Sequence, residues 1–238
     1  MPETTHPIPE LSLVLPCFNP PDHWEKIVVE CTKSLEEKLG LTIDLIIVND
    51  GSTKNVGPEL QAYIKSNVEK VRFLEQKTNA GKGQALRTGV QQADGKTIIF
   101  TDIDFPYTEE SFLKIYAGLQ NNAVALGHRS PDYYAHTPLF RKMISKSLRF
   151  ALKSFLRLPT DDSQCGIKGF NQEGKKVFLE TQINRFLFDL EFIKLISKRK
   201  LSSINIEVEL KPGVVFSKVN MKILAKESFN FMSILFRR

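Results

Sequence analysis

A chain of 238 residues, 42% hydrophobic and 25% charged, carries enough apolar material for one sizeable core, and its +6 formal charge favours anionic partners without choosing among phosphates, lipid headgroups and nucleic acid. Three cysteines, Cys17, Cys31 and Cys165, with no CxxC spacing argue against a disulfide framework or a zinc site. No stretch approaches the roughly 18 apolar residues that cross a bilayer, and Met1–Glu10 lacks an apolar leader core, so a cytoplasmic protein in peripheral contact with a membrane is expected.

From Leu11 to Asp104, β-branched runs alternate with amphipathic stretches, the pattern of β-α-β units in a mostly parallel α/β sheet. Strands are predicted at Leu11–Leu15, Asp44–Asn49, Val71–Glu75 and Thr97–Thr101. Helices are predicted between them at Pro21–Leu39, Pro58–Asn67 and Gly83–Ala93, the first opened by Pro20-Pro21 and stopped by Gly40. A helix at Glu109–Gln120, a strand at Ala123–Gly127, a strand at Gly166–Phe170, helices at Gln172–Thr181 and Phe188–Lys200, and a strand at Ile204–Leu210 complete the pattern. With no repeat or linker in sight, one domain is expected, a ligand-binding half at 11–104 and an acceptor half at 105–210.

Three of the early strands end in polar residues: Asn19 after the first, Asp50 after the second, and Asp102 and Asp104 after the fourth. Ligands bind at the carboxyl ends of strands in open α/β sheets, and a buried core has no use for so many carboxylates there. Carboxylates two residues apart, as in Thr101-Asp-Ile-Asp104, converge on one cation where the chain turns; hard Mg²⁺ or Mn²⁺ suits such oxygens and bridges to a diphosphate. The run Asn79-Ala-Gly-Lys-Gly83 places Lys82 at a helix start, a candidate anion site. It is no P-loop, because Gln76 stands where the first glycine belongs and Gly83 where Ser or Thr belongs.

In motif order these residues, with Pro16-Cys-Phe-Asn19, Gly127-His-Arg129, Asp162-Ser-Gln-Cys-Gly-Ile-Lys168 and Phe188-Asp-Leu-Glu191, resemble the family 2 glycosyltransferases of GT-A fold. Within that family they are most similar to the dolichyl-phosphate glucosyltransferase and mannose synthase branch. The resemblance implies an inverting, metal-dependent transfer of a hexose from a nucleotide sugar, UDP-glucose favoured, to a polyprenyl-phosphate acceptor. It implies nucleotide binding by Pro16, Phe18, Asn19, Asp50, Lys82 and Asp102, with Phe18 against the nucleobase and Asp50 accepting from its ring N–H. Asp102 and Asp104 would hold the metal, and Arg129, Gln164 and Lys168 would bind the acceptor. The chain departs from the family pattern at Pro20 and Asn49, where acidic residues are usual.

A phosphate acceptor is already ionised and needs no strong base; for a hydroxyl acceptor of a glycan or lipid, Asp162 or Asp189 would be the catalytic base. Cys165 reads as a packed thiol. Two competing functions stand beside this one. A sugar nucleotidyltransferase would need a Gly-rich basic loop after the first strand, where this chain has Pro16-Cys-Phe-Asn; a non-catalytic nucleotide-sugar-binding membrane adaptor would tolerate the two departures.

Residues 138–158 place Lys142, Lys146, Arg149, Lys153 and Arg157 on one helical face and Ile144, Leu148, Leu152 and Phe155 on the other, the pattern of a helix lying in a membrane interface. The stretch 221–238 is again apolar and basic. No nucleic-acid-binding motif accompanies these cations.

Overall fold

The computed structural model describes residues 8–129, 159–160 and 162–214; the basic stretch at 138–158 and the tail at 221–238 lie outside the described residues. Strands β1 (Leu11–Cys17), β2 (Asp44–Asp50), β3 (Val71–Gln76), β4 (Thr97–Phe100), β5 (Val124–Arg129), β6 (Lys168–Asn171) and β7 (Ser203–Val208) form one seven-stranded sheet in the order β3-β2-β1-β4-β6-β5-β7. Helices α1 (Trp24–Leu39), α2 (Pro58–Asn67), α3 (Lys82–Gln92), α4 (Glu109–Gly118), α5 (Gln172–Leu179) and α6 (Phe188–Arg199) cover it.

The central strands β1 and β2 are buried on both faces, which is why Leu11–Leu15 and Leu45–Val48 read as nearly continuous apolar runs. One apolar layer packs Trp24, Val28 and Leu35 of α1, Ile64 of α2, and Phe112 and Ile115 of α4 against the sheet. The other packs Ala85, Leu86 and Val90 of α3 with Phe178, Phe188 and Phe192 of α5 and α6. There Phe100, Phe170, Phe178, Phe188 and Phe192 form an aromatic cluster, with Phe178 and Phe192 edge to face at 5.0 Å.

Strands β1 to β4 are parallel neighbours as expected, but β6 runs antiparallel to both β4 and β5. The first helix begins at Trp24, three residues later than the expected Pro21. His23 stands before it in the left-handed region (φ 63°), and the indole N–H of Trp24 donates to the Asn55 carbonyl at 2.7 Å, which sets the entry angle. At its other end Gly40 (φ 64°) closes the helix by donating to the Glu36 carbonyl.

Candidate active site

The parallel order of β1, β2 and β4 brings Phe18, Asp50 and Asp102 to one edge of the sheet. Phe18 is 49% exposed, unusual for so large an apolar ring. Asn19, in the left-handed region (φ 46°), is drawn into the loop after β2: its side-chain carbonyl accepts from the amides of Thr53 (2.9 Å) and Lys54 (3.2 Å), and its own amide donates to Ser52 Oγ. It ties two loops together. Pro16 stays within β1, in register with Val48. Asn49 donates to Glu75 at 2.6 Å and accepts from the Ser52 amide, so its amide group serves as both donor and acceptor where a carboxylate could only accept.

Asp50 is only 2% exposed, and both its oxygens are engaged: one accepts from the Ala80 amide at 2.7 Å, the other from Gly81 N (2.9 Å) and Asn79 Nδ2 (3.0 Å). It therefore braces the turn that opens α3. Gly51 serves the same turn: at φ 68°, a Cβ there would sit 2.6 Å from the Thr78 carbonyl carbon. Around this helix start the Ala80 and Gly81 amides are taken by Asp50, and Gln84 N donates to the Asn184 carbonyl (3.2 Å). The charge this turn can offer an anion is the Lys82 ammonium.

Lys82 Nζ lies 2.5 Å from Asp102 Oδ1. Burial works against its charge, but Asp102 first, then Asp189 and more distantly Asp104, hold its pKa above the ordinary lysine value, so it stays cationic. The turn after β4 is closed by the Phe105 amide donating to the Asp102 carbonyl (3.0 Å), with buried Phe105 held in the left-handed region (φ 44°). Backbone strain of this kind persists where the surroundings over-determine it. Asp104 reaches solvent, but protein atoms crowd its carboxyl and partly strip it of water, and this desolvation and then the Asp102 charge push it above the usual aspartate value. Two neighbouring carboxylates, one of them paired with Lys82, are a setting for a hard cation. Among the described residues no group of three or more His, Cys, Asp or Glu converges on one point, so Mg²⁺ or Mn²⁺ would fit here only with oxygens of a bound diphosphate completing its shell.

The segment before β6 closes the other side. Asp162, 4% exposed, accepts from Arg129 Nε (2.8 Å), Arg129 NH2 (2.5 Å) and the Arg129 amide (2.9 Å). Although burial opposes its ionisation, this forked pairing holds its pKa below the ordinary aspartate value. Gly166 packs so closely on Asp102 that a Cβ there would meet Asp102 Oδ2 at 2.5 Å. Tyr107 Oη accepts from the Gly166 amide at 2.8 Å and from the Cys165 thiol at 3.4 Å, fixing that approach. Cys165 itself is wholly buried, and burial raises its pKa, as befits a packed thiol.

Two expectations need correction. Lys168 is neither solvated nor available to an acceptor: it is 0% exposed, and its ammonium donates to the Cys165 carbonyl (2.5 Å) and Asp189 Oδ1 (2.7 Å). Asp189, at the start of α6, is correspondingly no free base, since it is buried and ion-paired, even though desolvation leaves its pKa raised. Asp162, clasped by Arg129, is not a free base either. Gln164 is exposed on the turn between them.

Sequence reasoning missed Tyr107, whose only signal was an aromatic three residues past Asp104. It also gave no role to Glu191, which accepts from the Gln182 and Ile183 amides (2.8 Å each) and so shapes the loop lying over Gly81 and Gly83.

Residues 12–178 match the family model described as glycosyl transferase family 2. The chain is 30% identical over 208 residues to a dolichyl-phosphate beta-glucosyltransferase of Drosophila melanogaster, covering 81% of this chain and 64% of that protein. To those of Homo sapiens and Saccharomyces cerevisiae it is 28% and 26% identical, covering 79% and 80% of this chain and 63% and 64% of theirs. The chain thus spans just under two thirds of the length of these relatives. Among solved structures, mannosyl-3-phosphoglycerate synthase from Rubrobacter xylanophilus superposes with a TM-score of 0.71 at 13% identity, covering 95% of this chain and 72% of that one.

Proposed function

The chain belongs to glycosyl transferase family 2 and has the GT-A fold, and on that premise we propose that it transfers glucose from UDP-glucose to a polyprenyl phosphate of the dolichyl class at a membrane surface. The observation that carries this reading is the Asp102–Asp104 turn with Lys82 in contact, at the carboxyl ends of the parallel strands and beside an exposed Phe18. The names of the relatives support glucose and the dolichyl-type phosphate.

In this reading Asp102 and Asp104 would hold Mg²⁺ or Mn²⁺, which when bound would supply Lewis-acid stabilisation to a departing diphosphate. Lys82 adds a second positive charge to the leaving group, and Phe18 offers its ring to the nucleobase. The acceptor attacks the anomeric carbon from the opposite face, and configuration inverts. The pairing of Asp162 with Arg129 and of Asp189 with Lys168 favours an acceptor that arrives ionised, because neither carboxylate is free to take a proton. Catalysis then rests on positioning and charge.

Among the described residues no helix is long and apolar enough to cross a membrane. The basic face predicted at 138–158, which follows Arg129 and precedes Asp162 in the chain, supports delivery of a lipid acceptor from a membrane surface on its cytoplasmic side. Purified protein given UDP-glucose, Mg²⁺ and a polyprenyl phosphate should release UDP steadily and form glucosylated lipid. UDP binding with no turnover would instead make the protein a nucleotide-sugar-binding adaptor, and tighter binding of GDP than UDP in calorimetry would overturn the donor assignment.

A further inference from the structure

We infer that Lys168 and Asp189 are a positioning pair for the donor site: Lys168 compensates Asp189, and this leaves Lys82 on Asp102 instead of drawn toward α6. The inference rests on the reading that Lys82 meets the donor diphosphate. Lys168 opens β6 wholly buried, 2.7 Å from Asp189 Oδ1. The start of α6 is also packed against the start of α3: a Cβ on Gly83 would lie 2.8 Å from Cβ of Phe188, so the residues following Lys82 and preceding Asp189 touch. Lys82 therefore stands between two carboxylates, Asp102 in contact at 2.5 Å and Asp189 acting on it by charge.

Which carboxylate holds Lys82 is decided by compensation. An uncompensated buried carboxylate is costly enough to recruit a neighbouring cation, and a lysine on its flexible stem is the side chain best able to answer. With Lys168 in place, Asp189 already has its partner. Without it, the cation within reach is Lys82, and the diphosphate end of the site loses that charge. Stability alone does not explain the pair, since apolar residues of similar volume serve a core as well as a buried ion pair does.

The test is calorimetric titration of UDP with Mg²⁺ into wild type, Lys82→Met, Lys168→Met, Asp189→Asn and the double variant Lys168→Met/Asp189→Asn. Lys168→Met is expected to weaken UDP roughly ten-fold or more, the effect of withdrawing a charge-assisted contact. Asp189→Asn and the double variant are expected to stay within about three-fold of wild type, although the double variant also lacks the ion pair and the clamp on Cys165. A purely structural pair would also recover in the double variant, so the deciding arm is Lys168→Met added to Lys82→Met, where the inference expects no further loss of UDP binding and a structural pair would give one. Wild-type binding in Lys168→Met, or a double variant as weak as the single, overturns the inference.

Because an unpaired buried charge can itself unfold the chain, thermal melts accompany the titrations: Lys168→Met leaves Asp189 unpaired, Asp189→Asn leaves Lys168 unpaired, and the double variant leaves neither. Loss of UDP binding in the double variant overturns the inference whatever Lys168→Met does. Unchanged UDP binding in Lys82→Met would instead sink the reading beneath it, and the inference with it.

Discussion

Gly166→Ala tests the donor end of the site with a single methyl group. The backbone at this position is not in the left-handed region, so alanine brings no conformational penalty of its own. Its Cβ, however, would sit 2.5 Å from Asp102 Oδ2 and 3.3 Å from Tyr107 Oη, and a carbon and a carboxylate oxygen need roughly 1 Å more than the first of these. The carboxylate must swing away or the loop must lift, and Asp102 is tied to Lys82 on its other oxygen. A misplacement of about 1 Å at a reacting centre costs about a hundred-fold in rate, whereas the overpacking should cost only about 1–3 kcal/mol of stability. The assay is release of nucleoside diphosphate, read beside a thermal melt. A folded Gly166→Ala protein with wild-type turnover would show that Asp102 takes no part in holding the donor.

Asp104→Ala should abolish turnover while leaving the melting temperature within a few degrees of wild type, because the side chain is exposed; full activity in EDTA would remove the metal from the reaction. Asp162→Asn should destabilise by about 3 kcal/mol at neutral pH by removing the buried carboxylate from its forked pairing with Arg129. Since the folded-state pKa of Asp162 is depressed, its stabilisation is present above its unfolded value of about 4 and lost as pH falls through the folded one. The gap between wild type and variant in denaturant titrations should therefore narrow below about pH 4, and a gap independent of pH would refute the ion pair. Changing Lys146, Arg149 and Lys153 together to Glu should release the protein from anionic liposomes in co-sedimentation and leave UDP binding intact; unchanged sedimentation would make that face ordinary solvated surface.

Most strands and helices were legible because their signals are local. Apolar runs such as Leu45–Val48 and the left-handed stop at Gly40 need no tertiary partner to be read. The reversal of β6 was not legible, because Lys168–Asn171 is too short for its composition to carry a direction. The same distinction divides the site. Asp102 and Asp104 stood out because a strand end explains their spacing. Lys168 was misjudged because a lysine's sequence neighbours say nothing about a carboxylate 21 positions away. Asp50 and Asn19 were seen as polar strand ends, but their bonds to loops about 30 residues distant belong to the packing of the turns.

The reversed strand has one more consequence. Because β6 runs against β5, the chain leaves the sheet at Arg129 and re-enters it at Lys168 six residues after Asp162, and Arg129 and Asp162 clasp each other. Sequence inserted or exchanged between these two residues would begin and end at one ion pair, and the cost of closing it grows only slowly with the length inserted.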